Sequence, residues 1–97
     1  EQAERGAPAV PVVAKELEDS NALVRRLAAR LLGGMGEGAQ SALLAALKDN
    51  DFLVRRTALR GLCRIGGAQA LPAVKVALKD DSLFVRRAAV EYLVNRK

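Results

Sequence analysis

The sequence predicts an all-α fold: three helical hairpins stacked into a solenoid within one small domain. Three observations carry this. The 97 residues are 51% hydrophobic but only 3% aromatic, with no Trp, so a core has to be assembled from Leu, Val and Ala, a palette that suits packed helices. One string recurs at offsets of 30 and then 31 residues: Asp19-Ser20-Asn21-Ala22-Leu23-Val24-Arg25-Arg26, Asp49-Asn50-Asp51-Phe52-Leu53-Val54-Arg55-Arg56 and Asp80-Asp81-Ser82-Leu83-Phe84-Val85-Arg86-Arg87. After each copy, apolar residues follow at helical spacing on one face. A chain this short holds one core. Residues 1–97 are therefore read as a single domain with repeats at about 6–35, 36–66 and 67–97, each opened by a glycine loop at Gly6, Gly36 or Gly67. Residues 1–5 fall outside this tiling and are readable as the tail of an earlier repeat.

Taken in order, the first helix is expected over about residues 8–18, with Pro8 and Pro11 in its opening turn, where a missing N–H costs little. Asn21 then offers a side-chain oxygen to cap a second helix, whose inner face is Val24, Leu27, Ala28, Leu31, Leu32 and Met35. Gly33-Gly34 and Gly36 are expected to stop it. A helix over about 39–48 carries Ala42-Leu43-Leu44-Ala45-Ala46-Leu47, apolar on nearly all sides, as an element between neighbours should be. Asp51 caps the next helix, with Val54, Thr57, Ala58, Gly61, Leu62 and Ile65 inward and Gly66-Gly67 at its end. The last hairpin runs from about 69–79, with Pro72 near its start, through the cap Ser82 to a helix bearing Val85, Ala88, Ala89, Tyr92 and Leu93. Lys15-Glu16 and Lys75 interrupt the outer first helices, which predicts end units more polar than the centre.

Composition narrows the function. There is no His, one Cys and no cluster of acids and Cys at ligand spacing, which points away from metal sites, Ser/His or Cys/His nucleophile pairs and cofactors, and toward a non-catalytic binding module. Sixteen Lys and Arg against eleven Asp and Glu give +5, a balance that attracts acidic proteins, nucleic acid or anionic surfaces. The lone Cys63 has no internal disulfide partner and suits a reducing compartment, so the expected location is the cytoplasm. The uncharged stretch from Gly6 to Ala14 is too short and Pro-rich to span a bilayer, and Glu1-Gln2-Ala3-Glu4 is not a basic leader, so no membrane association is expected.

Two sets of arginines are candidates. Arg25, Arg55 and Arg86 each follow a core Val, about 100° round the helix. They are expected to reach the turn aspartates Asp19, Asp49 and Asp80 of their own or adjacent units in a charge-assisted ladder. Arg26, Arg56 and Arg87 lie about 200° from those valines, facing away from the core, with Arg30 and Arg60 one turn further on. Across the second helices Arg25, Arg26, Arg30, Arg55, Arg56, Arg60, Arg64, Arg86, Arg87, Arg96 and Lys97 are opposed only by Glu91, which segregates the basic surplus onto one face. Between them run Ala29, Leu59 and Val90, then Gly33, Cys63 and Val94. If exposed, that apolar strip suits an acidic amphipathic helix better than a duplex; the favoured arrangement for Leu59 and Val90 is packing between adjacent second helices. Cys63 is expected to be an inert surface thiol. Phe52, Phe84 and Tyr92 offer little for stacking single-stranded bases.

The Asp-x-x-x-x-Val-Arg-Arg string, the leucines Leu17, Leu47 and Leu78 before it and the Ile65-Gly66-Gly67 loop, at this period, resemble the HEAT-like repeats of the phycobilisome-lyase type over residues 6–97. The resemblance implies an antiparallel helix pair per repeat, a right-handed superhelix with second helices on the concave face, and a scaffolding role; some members attach bilin chromophores and distant relatives bind DNA. Thr57 and Gly61 depart from the pattern, where larger apolar residues are usual. The resulting expectation is a protein-protein interaction scaffold that binds an acidic partner through Arg26, Arg30, Arg56, Arg60 and Arg87. Nucleic-acid binding by the same stripe, and an accessory segment of a chromophore lyase or other enzyme, are the alternatives.

Overall fold

The computed structural model describes residues 2–96, with side chains from residue 9 onward. Six α-helices follow one another: α1 Gln2–Lys15, α2 Ala22–Gly33, α3 Gln40–Ala46, α4 Phe52–Ile65, α5 Ala70–Ala77 and α6 Leu83–Asn95, with 3-10 turns at Glu16–Glu18 and Glu37–Ala39. No strand occurs among the described residues. Helices pair as α1/α2, α3/α4 and α5/α6, and α4 packs against both α2 and α6, the arrangement of a HEAT-like solenoid. The Cα atoms fill a slab of 38 × 34 × 15 Å, whose thickness is that of two helices laid one on the other.

Each second helix begins where a side chain takes up its free N–H groups. Asn21 Oδ1 accepts from Leu23 N at 2.8 Å, Asp51 Oδ2 from Leu53 N and Val54 N at 3.1 and 3.0 Å, and Ser82 Oγ from Phe84 N at 3.2 Å. At the far end of α4, Gly66 takes φ 77°, the left-handed region that a Cβ would penalise. Leu32, Leu43, Val54, Leu59, Leu62, Val74 and Val85 are fully buried and tie α2 to α6 into one core. Each such side chain contributes about 1.5–3 kcal/mol by leaving water.

Three expectations are corrected. The first helix starts at Gln2, well ahead of residue 8, so Gly6 lies in a helix and not in a loop, and Pro8 and Pro11 lie inside α1. Proline's fixed φ is itself helical, but a proline at such a place lacks the N–H that would bond four residues back and sets its ring against that carbonyl. Gln2 to Arg5 belong to α1, while Glu1, the first residue of the segment read as a repeat's tail, and Lys97, counted with the basic face, lie outside the described residues. Leu27 and Leu31, assigned to the inner face, are each 46% exposed, and Leu93 is also exposed. Helical periodicity picks the face but not whether a neighbour covers it, and Leu27 and Leu31 sit on the side of α2 away from α4. Finally, the end units are not the more polar ones: Val12, Leu23, Leu83, Val90 and Val94 are all exposed at the two ends of the stack.

α2 ends at the glycines as expected, with Gly33 its last residue and Gly34 its cap; Gly33 is also buried against Gly61 of α4, and a Cβ on either would stand 3.0 Å from the other's Cα. The glycine at 61, a gap when compared with larger apolar residues, is the close-contact point of two helices.

Candidate functional site

The turn before each second helix is a folded unit in its own right. Asp19, Asp49 and Asp80 each accept from the backbone N–H two residues on, at 2.8–2.9 Å, while Nη1 of Arg25, Arg55 and Arg86 donates to the carbonyl of the same aspartate at 2.8, 2.9 and 2.6 Å. The remaining guanidinium edge reaches forward. Arg25 Nε and Nη2 donate to the two Asp49 oxygens at 2.9 and 3.2 Å, and Arg55 Nε and Nη2 to Asp80 at 3.0 and 2.9 Å. Each carboxylate bond thus spans to the following unit, and each carbonyl bond stays within its own. Asn50 and Asp81 add a further acceptor to Arg25 and Arg55 at 3.3 and 3.1 Å. These are two-pronged, mostly buried pairs, the strong kind.

The pairing shows in the ionisation of its members. Hydrogen bonds donated to Asp49 and Asp80 raise the guanidinium pKa values of Arg25 and Arg55 against the opposing effect of burial. Burial pushes the Asp80 carboxyl up, but the bonds from Arg55 and the Ser82 N–H outweigh it and leave the carboxyl below its ordinary value. A depressed folded pKa contributes stability that is complete above the unfolded value, about 3.9, and is lost as pH falls through the folded one. Denaturant midpoints measured from pH 6 down to pH 2 are expected to fall in that window. Arg55→Ala is expected to lose about 1–2 kcal/mol at neutral pH and to show a shallower acid decline.

The second arginine set converges elsewhere. Because α2 and α4 meet at Gly33 and Gly61, their side chains come together above that contact: Arg30, Arg56, Arg60 and Arg64 line a groove of about 270 Å³, with Gly33, Thr57 and Gly61 as its remaining wall. Arg64 Nη1 rests where a Cβ on Gly33 would come within 3.6 Å of it. Among the described residues only Arg60 of these four has an ion pair, with Glu91 at 3.4 Å, and Glu91 also takes Arg87 at 3.3 Å. Glu91 stands at the repeat position of Arg30 and Arg60, so the groove ends before α6.

Of the five arginines expected to bind a partner, the structure brings Arg30, Arg56 and Arg60 together; Arg26, half-buried, and Arg87, exposed, lie outside the groove lining. Arg64 is the member that repeat reasoning passed over. Its equivalents are Gly34 and Asn95, so no threefold pattern marks it, although its spacing of four from Arg60 puts both on one side of α4. The apolar strip between the arginines is absent from the middle of the molecule: Ala29 and Leu59 are fully buried between second helices, whereas Val90, expected to pack the same way, is 47% exposed, with no described helix on that side of α6. Cys63 is half-buried, and burial raises its thiol pKa, which opposes thiolate chemistry. Phe52 and Phe84 stack on each other at 5.5 Å. A recess of about 440 Å³, lined by Leu44, Leu47, Pro72 and Val76 among others, lies between the first helices α3 and α5 and holds little polar chemistry.

The family model for HEAT repeats matches residues 10–94, nearly all of the chain. This chain belongs to the HEAT repeat family. HEAT repeats generally mediate protein-protein interaction and are generally non-catalytic. No curated protein matches this HEAT repeat chain. Among the described residues, no three His, Cys, Asp or Glu side chains gather where a metal ion would sit, and no helix is long and apolar enough to cross a membrane.

Proposed function

We propose that this HEAT repeat protein is a non-catalytic scaffold whose second-helix face, concave in solenoids of this kind, binds an acidic segment of a protein partner. The observation that supports this is the groove in which Arg30, Arg56, Arg60 and Arg64 converge with one intramolecular acid between them. Guanidinium forks spaced along a cleft suit carboxylates presented along a helix or strand. Arg26 and Arg87 flank the groove as outer contacts. We further take residues 1–97 as one cytoplasmic domain of three repeats, at about 6–35, 36–66 and 67–97, of the phycobilisome-lyase type. An accessory part in chromophore attachment is the weaker reading, because a thiol raised by burial, as at Cys63, is a poor nucleophile.

A labelled Glu-rich helical peptide and a labelled DNA duplex, titrated with the protein at low and high salt, test the reading. The peptide is expected to bind, and Arg30→Glu/Arg56→Glu to weaken it about tenfold or more, with Lys75→Glu on α5 as an unaffected control. A duplex that binds more tightly than the peptide, with affinity falling steeply with salt in proportion to the phosphates contacted, would turn the reading to nucleic acid. Binding of neither probe at low salt would remove the groove as a site.

A further inference from the structure

The arginines of the second helices stand in two states of pairing. In the turns one carboxylate serves one guanidinium: Asp49 takes Nε and Nη2 of Arg25, Asp80 those of Arg55, and each aspartate also accepts a backbone N–H. In the groove between α2 and α4 the balance is different. Among the described residues Arg30, Arg56 and Arg64 donate to no acceptor, and Arg60 gives only Nη2, to Glu91 at 3.4 Å. Both members of that pair are about half exposed, the class of ion pair that contributes least. Four guanidiniums thus line about 270 Å³ against one carboxylate, which Arg87 shares.

The arginines come from both walls. Arg56, Arg60 and Arg64, at spacings of four, form one row on α4, and Arg30 belongs to α2. Arg64 crosses toward α2, its Nη1 lying 3.6 Å from where a Cβ on Gly33 would stand. Gly33 and Gly61 leave bare backbone between the two helices, and Thr57 puts a hydroxyl where the equivalent residues of the other units are Leu27 and Ala88. The row does not continue into the third unit, because Glu91 occupies the equivalent place there. Positive charge is therefore concentrated in one spot and not drawn out along the stack.

We infer that the groove takes a phosphorylated side chain of a protein partner, its phosphate held by arginine forks from both helices over the contact of Gly33 with Gly61. This rests on the reading of the groove as the surface for an acidic segment, and names the group that anchors the segment. A carboxylate brings one charge and two oxygens, which in the turns of this chain a single arginine takes up. It would leave most of the donors in the groove unused. A phosphomonoester brings close to two charges and three acceptor oxygens, enough for two or three forks, with the Thr57 hydroxyl as a further donor. Size agrees. One turn of helix, roughly 10 Å across and about 5.4 Å long, fills roughly 420 Å³, more than the groove, so a single side chain enters and the segment bearing it lies across the rim. A nucleic-acid strand is the poorer fit, because its charges are single and evenly spaced, and Glu91 stands where a strand running on along the second helices would pass.

Three labelled peptides of one Glu-rich sequence, with serine, glutamate or phosphoserine at the centre, test the inference by fluorescence anisotropy. At neutral pH the phosphoserine peptide is expected to bind about tenfold more tightly than the glutamate peptide. Lowering the pH from 7 to 5.5, through the second ionisation of the phosphate at about 6, is expected to weaken it about threefold and to leave the glutamate peptide unchanged. The charged groups around the phosphate are Arg30 from α2, Arg56, Arg60 and Arg64 from α4 and Glu91 from α6, and the chain has no His to change charge in that range. Arg64→Gln is expected to remove most of the preference for phosphoserine; the ratio of the two affinities does not depend on how much of a variant is folded. Equal affinity for phosphoserine and glutamate, both lost in Arg30→Glu/Arg56→Glu, would overturn this inference and leave the acidic-segment reading standing. Binding of none of the three peptides would overturn both. A preference that survives Arg64→Gln and Arg30→Glu/Arg56→Glu alike would place the phosphate elsewhere, and a DNA duplex that binds more tightly than the phosphoserine peptide at the same salt would turn the groove to nucleic acid; either result ends the inference.

Discussion

Replacing Gly61 with alanine is expected to lower stability by about 1–3 kcal/mol, although the same change on an open helix face raises it by about 1 kcal/mol. The sign is reversed by space. A Cβ at 61 would stand 3.0 Å from Gly33 Cα and 3.1 Å from Leu43 Cδ1. Leu43 is a side-chain end and can shift, but the Gly33 backbone is held in α2, so relief requires α2 and α4 to move apart. Gly61→Leu, with several more atoms to place at the same point, is expected to lose more than about 3 kcal/mol and the sharpness of its unfolding transition. Urea denaturation followed by helical circular dichroism measures both, with Gly38→Ala, where a Cβ meets nothing nearer than Val10 at 3.9 Å, as a near-neutral control. Should Gly61→Ala match or exceed wild type, the close crossing of α2 and α4 would not be a constraint on the fold, nor on the groove above it.

Leu59→Ala is expected to cost about 2–5 kcal/mol, the range for removing a fully buried leucine and leaving a cavity. Val90→Ala, at the same repeat position but about half exposed, is expected to cost less than about 1 kcal/mol. The same denaturation measurement on both variants separates a core position from an end position that shares its place in the repeat. Equal losses would mean that Val90 is covered in solution. The contrast also removes Leu59 as a surface probe: a partner-binding assay on Leu59→Ala would report on folding rather than on a contact.

What the sequence makes legible is whatever is local. The three caps Asn21, Asp51 and Ser82, the order of the helices and the shared turn follow from a repeated string whose side chains act within two or three residues of themselves. Relations between distant residues are not legible. Gly33 reads as the helix end that it is, and Gly61 alone looks like a missing side chain; that the two meet appears only when α2 and α4 are side by side. Spacing left Arg25 and Arg55 equally able to reach an aspartate of their own turn or of the next, and the geometry uses the carbonyl of one and the carboxylate of the other. Arg64 breaks the repeat and so drops out of any argument made from threefold recurrence, yet it completes the basic groove. The exposure of Leu27 and Leu31 depends on which neighbour packs on α2, a fact about the stack and not about the helix that carries them.

The contact of Gly33 with Gly61 also sets the two junctions apart. Near their starts, the second helices carry the same Arg–Asp clamp, of 2.9 Å, at both junctions. Near their ends, one junction closes on two glycines, while the corresponding positions of the other are Cys63 and Tyr92, a far larger pair. The two junctions therefore differ in kind at matching places: between the first two hairpins backbone meets backbone, so no side chain there can be enlarged without parting the helices, while between the last two the same places are held by side chains, which can shift.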